Sequence, residues 1–210
     1  MMHHSRALIL RKDEWGEADL RITALTSGFG KIRLLAQGAR KHGAKLQGHL
    51  EPGAISDISF VIGRNSYRLT TARLAVFPRA GMDSFPKLAA HAAILGVLDA
   101  NLLEERDHAA ELLEMTEVAL LALERADDPA TVRRLLVWFP ARLLLFLGMF
   151  PSPLSPEARA VPSLPDFVAC SPVSLNENAF EPEVLERELA WLLRRLGDAF
   201  AAMEPVSAAS

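Results

Sequence analysis

Six cations stand between Leu20 and Leu50 (Arg21, Lys31, Arg33, Arg40, Lys41 and Lys45), and the same stretch contains no Asp or Glu. Basic side chains at this density, with no carboxylate among them, can hold the phosphates of a polyanion through charge-assisted hydrogen bonds. The excess is local. The chain of 210 residues has a formal net charge of −3, yet residues 1–80 hold 13 basic and 6 acidic side chains, and residues 81–210 hold 10 and 20. A polyanion is drawn to the first part and repelled by the second. Lys31 and Arg33 are two apart and so project from one face of a strand. Crowding like charges on a sheet is unfavourable unless an anion relieves it. Arg64 and Arg68 complete the candidate phosphate-binding set.

Single-strand binding by such a surface also uses aromatic rings on which bases stack. Only Trp15, Phe29, Phe60 and Tyr67 are candidates in the first 76 residues. Phe60 reads as core. Trp15 and Phe29 are expected in turns, where a buried role is disfavoured. Charge therefore outweighs stacking, which predicts affinity with little sequence preference.

Other chemistries find less support. Gly38–Lys45 has the glycine spacing of a phosphate loop, but Ala44 separates Gly43 from Lys45 and no Ser or Thr follows the lysine. There is no Gly-x-Ser-x-Gly, no His-Glu-x-x-His and no paired-Cys motif. The histidines read as surface residues. The single Cys170 allows no intramolecular disulfide and no multi-Cys zinc site, so no metal or other cofactor is expected. A nuclease would need acidic metal ligands near the basic face, where only Asp13, Glu14, Glu17, Asp19, Glu51 and Asp57 are available.

A second constellation lies further on. Arg133, Arg134 and Arg142 sit within a strongly apolar stretch beside Trp138 and Phe139. They read either as packed stems paired with acids or as a hydrophobic notch edged by Arg that captures a partner peptide. Arg134, Arg142 and Phe139 are the candidates for that capture.

The positioning elements follow from hydrophobic period. Arg6–Lys12, Leu20–Thr26, Lys31–Gln37, Ile55–Ile62 and Tyr67–Val76 read as five strands, and Ser27–Gly30 as a tight hairpin turn. Five strands in about 75 residues suggest a small barrel. Pro78, Gly81 and Pro86 then break the pattern. Lys87–Leu103, His108–Arg125, Ala130–Leu147 and Glu181–Met203 follow with helical spacing. Asp127-Asp128-Pro129 starts the third helix, and Pro140 is expected to kink it. Residues 150–180 are proline-rich and read as an irregular crossing. The expected class is α+β: a barrel domain over 1–78 and a helical domain over 79–210. No leader is visible, and the longest apolar stretch, Leu135–Pro151, is short for a membrane span.

The order of motifs resembles the RecO family of bacterial recombination mediators. The resemblance rests on Ala7-Leu8-Ile9-Leu10, Trp15-Gly16-Glu17-Ala18-Asp19, Gly28-Phe29-Gly30-Lys31, Ala36-Gln37-Gly38-Ala39-Arg40-Lys41, Leu50-Glu51-Pro52, Leu69-Thr70-Thr71-Ala72 and Leu147-Gly148-Met149-Phe150-Pro151. It implies an OB-fold barrel and a helical domain without enzymatic activity. It also implies binding of single- and double-stranded DNA, strand annealing and assistance to recombinase loading in the bacterial cytoplasm, at the nucleoid. The implied partners are RecR and the acidic C-terminal tail of single-strand-binding protein, with Arg142 near the docking position. Many relatives carry a four-Cys zinc element where this chain has only Cys170, so zinc is not expected. The competing reading is an interaction adaptor that uses its basic face for an acidic protein.

Overall fold

The computed structural model describes residues 1–42, 46–63, 66–78, 84–102, 108–150, 163–177 and 180–196. Two compact units emerge: Met1–Pro78 with Leu102–Glu117, and Arg79–Asn101 with Val118–Ser210.

The first unit is built on five strands, β1 (Met2–Trp15), β2 (Asp19–Thr26), β3 (Gly30–Ala36), β4 (Ile55–Ile62) and β5 (Tyr67–Val76). They close into a barrel in the order β1-β2-β3-β5-β4, with β3 and β5 parallel and the other pairs antiparallel. This is an OB-fold arrangement, and with the helices that follow the class is α+β. Closure satisfies every sheet edge, which a short open sheet would leave unpaired.

β1 is longer than its apolar centre predicts. Its first half pairs with β4 (Met2 to Leu8) and its second half with β2 (Ala7 to Trp15). The outlying residues are mostly polar (His3, His4, Ser5, Asp13 and Glu14), so their strand conformation comes from pairing rather than hydrophobic alternation. Inward positions form one core of Ala7, Ile9, Leu20, Ile22, Ala24, Ile32, Leu34, Ala36, Leu50, Ile58, Phe60 and Leu69, among others. Phe60 is fully buried at its centre. Phe29 packs against that core edge-on to Phe60, with ring centroids 5.0 Å apart, so it is not the free turn aromatic its position suggests. The β2–β3 turn is closed by Thr26, whose hydroxyl donates to Gly30 O (2.8 Å) and accepts from Phe29 N (3.1 Å). Gly30 there has φ +67°, a conformation that a Cβ disfavours.

Outward positions are not all open. Leu8, Leu25 and Lys31 lie in one row across β1, β2 and β3, and both leucines are buried. Within this unit, Lys31 Nζ donates to Leu102 O (3.3 Å), and the Arg6 guanidinium meets Glu117 at 2.7 Å. Leu102 and Glu117 are thereby tied to the outer barrel wall.

The second unit gathers around α3 (Pro129–Phe146), with α1 (Phe85–Asn101), α4 (Leu164–Ala169), a 3-10 turn (Pro172–Glu177) and α5 (Pro182–Leu196) packed on it. The helix α2 (Ala109–Arg125) supplies its C-terminal residues to this unit. α3 starts where Asp128 accepts from Thr131 N (2.9 Å), with Pro129 in the first turn. It is buried on most sides, as a central helix must be: Leu135, Val137, Trp138, Phe139, Leu143 and Leu144 are all buried. Pro140 lies inside this helix, which runs on to Phe146.

α4 falls inside the stretch expected to be irregular. Its first two N–H groups, of Ser163 and Leu164, both donate to the Glu188 carboxylate at 3.0 Å. A distant side chain on α5 thus supplies the capping that local proline-rich sequence lacks. The intervening residues 151–162 lie outside the described ones.

Candidate nucleic-acid interface

Strand register assembles the basic face. Arg11 is opposite Thr23, and Thr23 opposite Arg33, so these three make one row across β1, β2 and β3. The next row is Asp13, Arg21, Leu35 and Arg68, because Leu35 pairs with Arg68 across the parallel β3–β5 contact. Four arginines therefore share the outer wall of adjacent strands. Neighbouring strands are spaced by about 4.8 Å, which separates the Arg11 and Arg33 backbones by roughly 10 Å.

Partners decide how much of that charge is offered. Arg33 and Lys41 are exposed, and neither has an ion pair or side-chain hydrogen bond among the described residues. The Lys41 stem lies along Gly38 (Cδ at 3.5 Å from where a Cβ would stand), and Gly38 has φ +65°. Arg68 is exposed and donates to the neutral amide oxygen of Gln37. These three cations meet no carboxylate.

The others are engaged. Arg11 and Arg21 flank Asp13, at 3.3 and 3.8 Å. Arg40 meets Glu14 at 3.0 Å and donates to Gly16 O at 3.4 Å. Lys31, as described above, is half-buried against Leu102. The acid-free interval is thus acid-free in sequence only: β1, which precedes it, brings Asp13 and Glu14 beside it. Lys45 and Arg64 lie outside the described residues.

Arg11 lies outside the cationic interval, and the sequence offered a misleading signal for it. Strict alternation from the inward Ile9 would send Arg11 inward. A bulge between Ile9 and Arg11 inserts Leu10 and turns Arg11 out. Trp15 is the last residue of β1 rather than part of the turn, and it is 50% exposed. The Arg21 guanidinium stands 4.6 Å from its ring centroid.

In the helical unit the arginines are differently placed. Arg133 forms a two-pronged bond to Glu186 (2.7 Å each) and a third contact with Glu183 at 2.5 Å. Arg134 donates to Phe180 O (2.9 Å) and Leu175 O (3.5 Å), and Arg142 to Val168 O (3.3 Å). Phe139 is fully buried. Its ring belongs to the helix core, so Phe139, one of the three capture candidates, gives an incoming peptide no surface. Exposed apolar side chains do occur near Arg142, at Leu145, Leu147 and Met149. Cys170 is partly buried, its thiol directed to Asp166 O (3.4 Å) and its carbonyl accepting from Trp138 Nε1 (3.0 Å). Among the described residues no His, Cys, Asp and Glu cluster could hold a metal ion, and no helix is long and apolar enough to cross a membrane.

A family model described as recombination protein O, N-terminal, matches residues 1–77, the whole five-stranded barrel. A DNA repair protein RecO of Gloeothece citriformis is 30% identical over 150 residues, 71% of this chain and 52% of that protein. Another, from Nocardioides sp., is 32% identical over 109 residues, 51% of this chain and 44% of its own length. The chain belongs to the RecO family. It spans about half the length of these two RecO relatives. The RecO match covers β1 to β5 and with them every described cation of the basic face.

Proposed function

We propose that this chain is a non-enzymatic, DNA-binding mediator of recombinational repair. The observation that carries the proposal is the outer wall of β3 and β5 with the loop after β3, where Arg33, Arg68 and Lys41 present charge with no carboxylate partner among the described residues. Cations of this kind suit phosphates rather than base edges, so single and double strands would be bound with little sequence preference. A surface that neutralises two backbones at once lowers their repulsion and favours annealing of complementary strands. The relatives' name, DNA repair protein RecO, supports the repair context.

The helical unit is the part for protein partners, RecR and the acidic tail of single-strand-binding protein, in a scheme that ends in recombinase loading in the cytoplasm. Arg142 spends one N–H on Val168 O and stands three residues before the exposed Leu145, on one helix face. A carboxylate-terminated apolar peptide would meet both.

The test is oligonucleotide binding and strand annealing over a salt series. Affinity should fall as salt rises, because each phosphate contact releases counterions. Replacing Arg33, Lys41 and Arg68 together by Ala should flatten the salt slope by about 2 and weaken binding about 100-fold near 0.1 M salt. Arg133→Ala, whose charge is already taken by Glu183 and Glu186, should leave binding unchanged. Absence of binding at low salt, or binding indifferent to salt, would sink the proposal.

A further inference from the structure

We propose that Trp15 is a base-stacking platform, which makes the basic face favour strands with unpaired bases. This rests on the DNA-binding reading above. Trp15 is half exposed, whereas Phe29 and Tyr67 pack against the barrel core and Phe60 is wholly inside it. It is therefore the aromatic that the described barrel residues leave available beside the arginines. An indole held this far into water forfeits the burial that normally stabilises so large an apolar surface.

Its setting suits stacking. Arg21 covers one face of the ring at 4.6 Å from the centroid. With Arg21 over one face, Trp15 remains half exposed, which leaves ring surface for a base to meet. Arg21 is itself restrained by Asp13 at 3.8 Å on the opposed strand. The indole is thus ordered before any ligand arrives, and little rotamer entropy is left to lose on binding. Arg21, on β2, and Arg40, which reaches Glu14 and Gly16 O, both lie beside this end of β1.

A base can use that ring surface only when its own face is free, as in a single strand or at a strand end. In a continuous duplex both faces of each base are already stacked. Because every base has a π-face, this preference would be for unpaired structure rather than for sequence. Annealing gains from the same property: a platform that holds one base of a strand displays its neighbours for pairing and releases it once pairing is complete.

The experiment compares affinities of the full chain for a thymidine oligomer and an abasic oligomer of equal length, at fixed low salt, by fluorescence anisotropy. The unaltered chain should favour the thymidine oligomer by about 10-fold, the size of one base–aromatic stack. In Trp15→Ala that ratio should collapse to near one, and Trp15→Phe should keep most of it. A ratio that survives Trp15→Ala, or that is already near one in the unaltered chain, overturns the stacking role while leaving phosphate binding intact. Failure to bind either oligomer overturns the DNA-binding reading and this inference together.

Discussion

Arg33 on the barrel and Arg133 on the central helix are the same residue type in opposite circumstances. Arg33 stands exposed on β3 without a partner among the described residues, while Arg133 is clasped by Glu186 and Glu183. The acids of the helical unit are not a uniform negative surface, since several are spent on that unit's own cations and backbone donors. Net charge therefore misstates what each region offers. What matters for a ligand is charge left unpartnered after folding, and among the described residues of the barrel Arg33 and Lys41 keep theirs. Three arginines of α3 join elements instead: Arg133 links α3 to α5, and Arg134 and Arg142 link α3 to the carbonyls around the 3-10 turn and α4.

The strongest way to break this division is to damage one region and read the other. Phe139 is fully buried at the middle of α3. Phe139→Ala should destabilise the helical unit by about 3–5 kcal/mol through lost burial and a cavity. Denaturant unfolding followed by the helical circular-dichroism signal would read the loss. Oligonucleotide affinity, measured where the variant is still folded, should stay within about twofold if the barrel wall alone holds the DNA. A parallel loss of affinity would show that the helices contribute to the interface.

A smaller effect is expected at the start of the same helix. Asp128 is held below the usual carboxylate range by the Thr131 hydroxyl first and the Thr131 backbone N–H second. Its folded pKa lies below its unfolded value, so its charge stabilises the fold above the unfolded pKa. That contribution is lost as pH falls from about 4 through the lowered value. Asp128→Ala should cost about 1 kcal/mol at neutral pH. The difference between variant and unaltered chain should shrink in acid, which urea titrations at several pH values would show. A constant difference would mean that the charge of the cap is irrelevant.

Local pattern made much of this legible. The five strands, the hairpin at Ser27–Gly30 and the Asp128 cap were readable because each rests on neighbours in sequence. So was the cationic cluster. The length of β1 was not, since its polar ends are strands only by pairing with β2 and β4. Nor was α4, whose first N–H groups are satisfied by Glu188 from α5. The site was legible in its composition but not in its pairing. Which cations are spent depends on cross-strand register, and Asp13, Glu14 and the Ile9–Arg11 bulge act through register alone.

The same register sets up the finest test of the comparison between spent and unspent charge. Asp13 occupies the space between Arg11 and Arg21, where a phosphate oxygen would otherwise stand, and its carboxylate is the one acid in those two arginine rows. If DNA binds this face as proposed, Asp13 is a resident anion that it would have to displace or share. Asp13→Asn keeps the shape and removes the competing charge. Affinity for oligonucleotides at low salt should then rise about threefold, in line with the modest strength of an exposed ion pair. The salt slope should steepen by up to about 1 as a further phosphate contact forms. Tighter binding would move Arg11 and Arg21 into the class of Arg33, cations whose worth is set by what the fold leaves them free to do. Weaker binding would reverse the assignment, making Asp13 the group that holds both arginines, and through Arg21 the Trp15 ring, in their working positions.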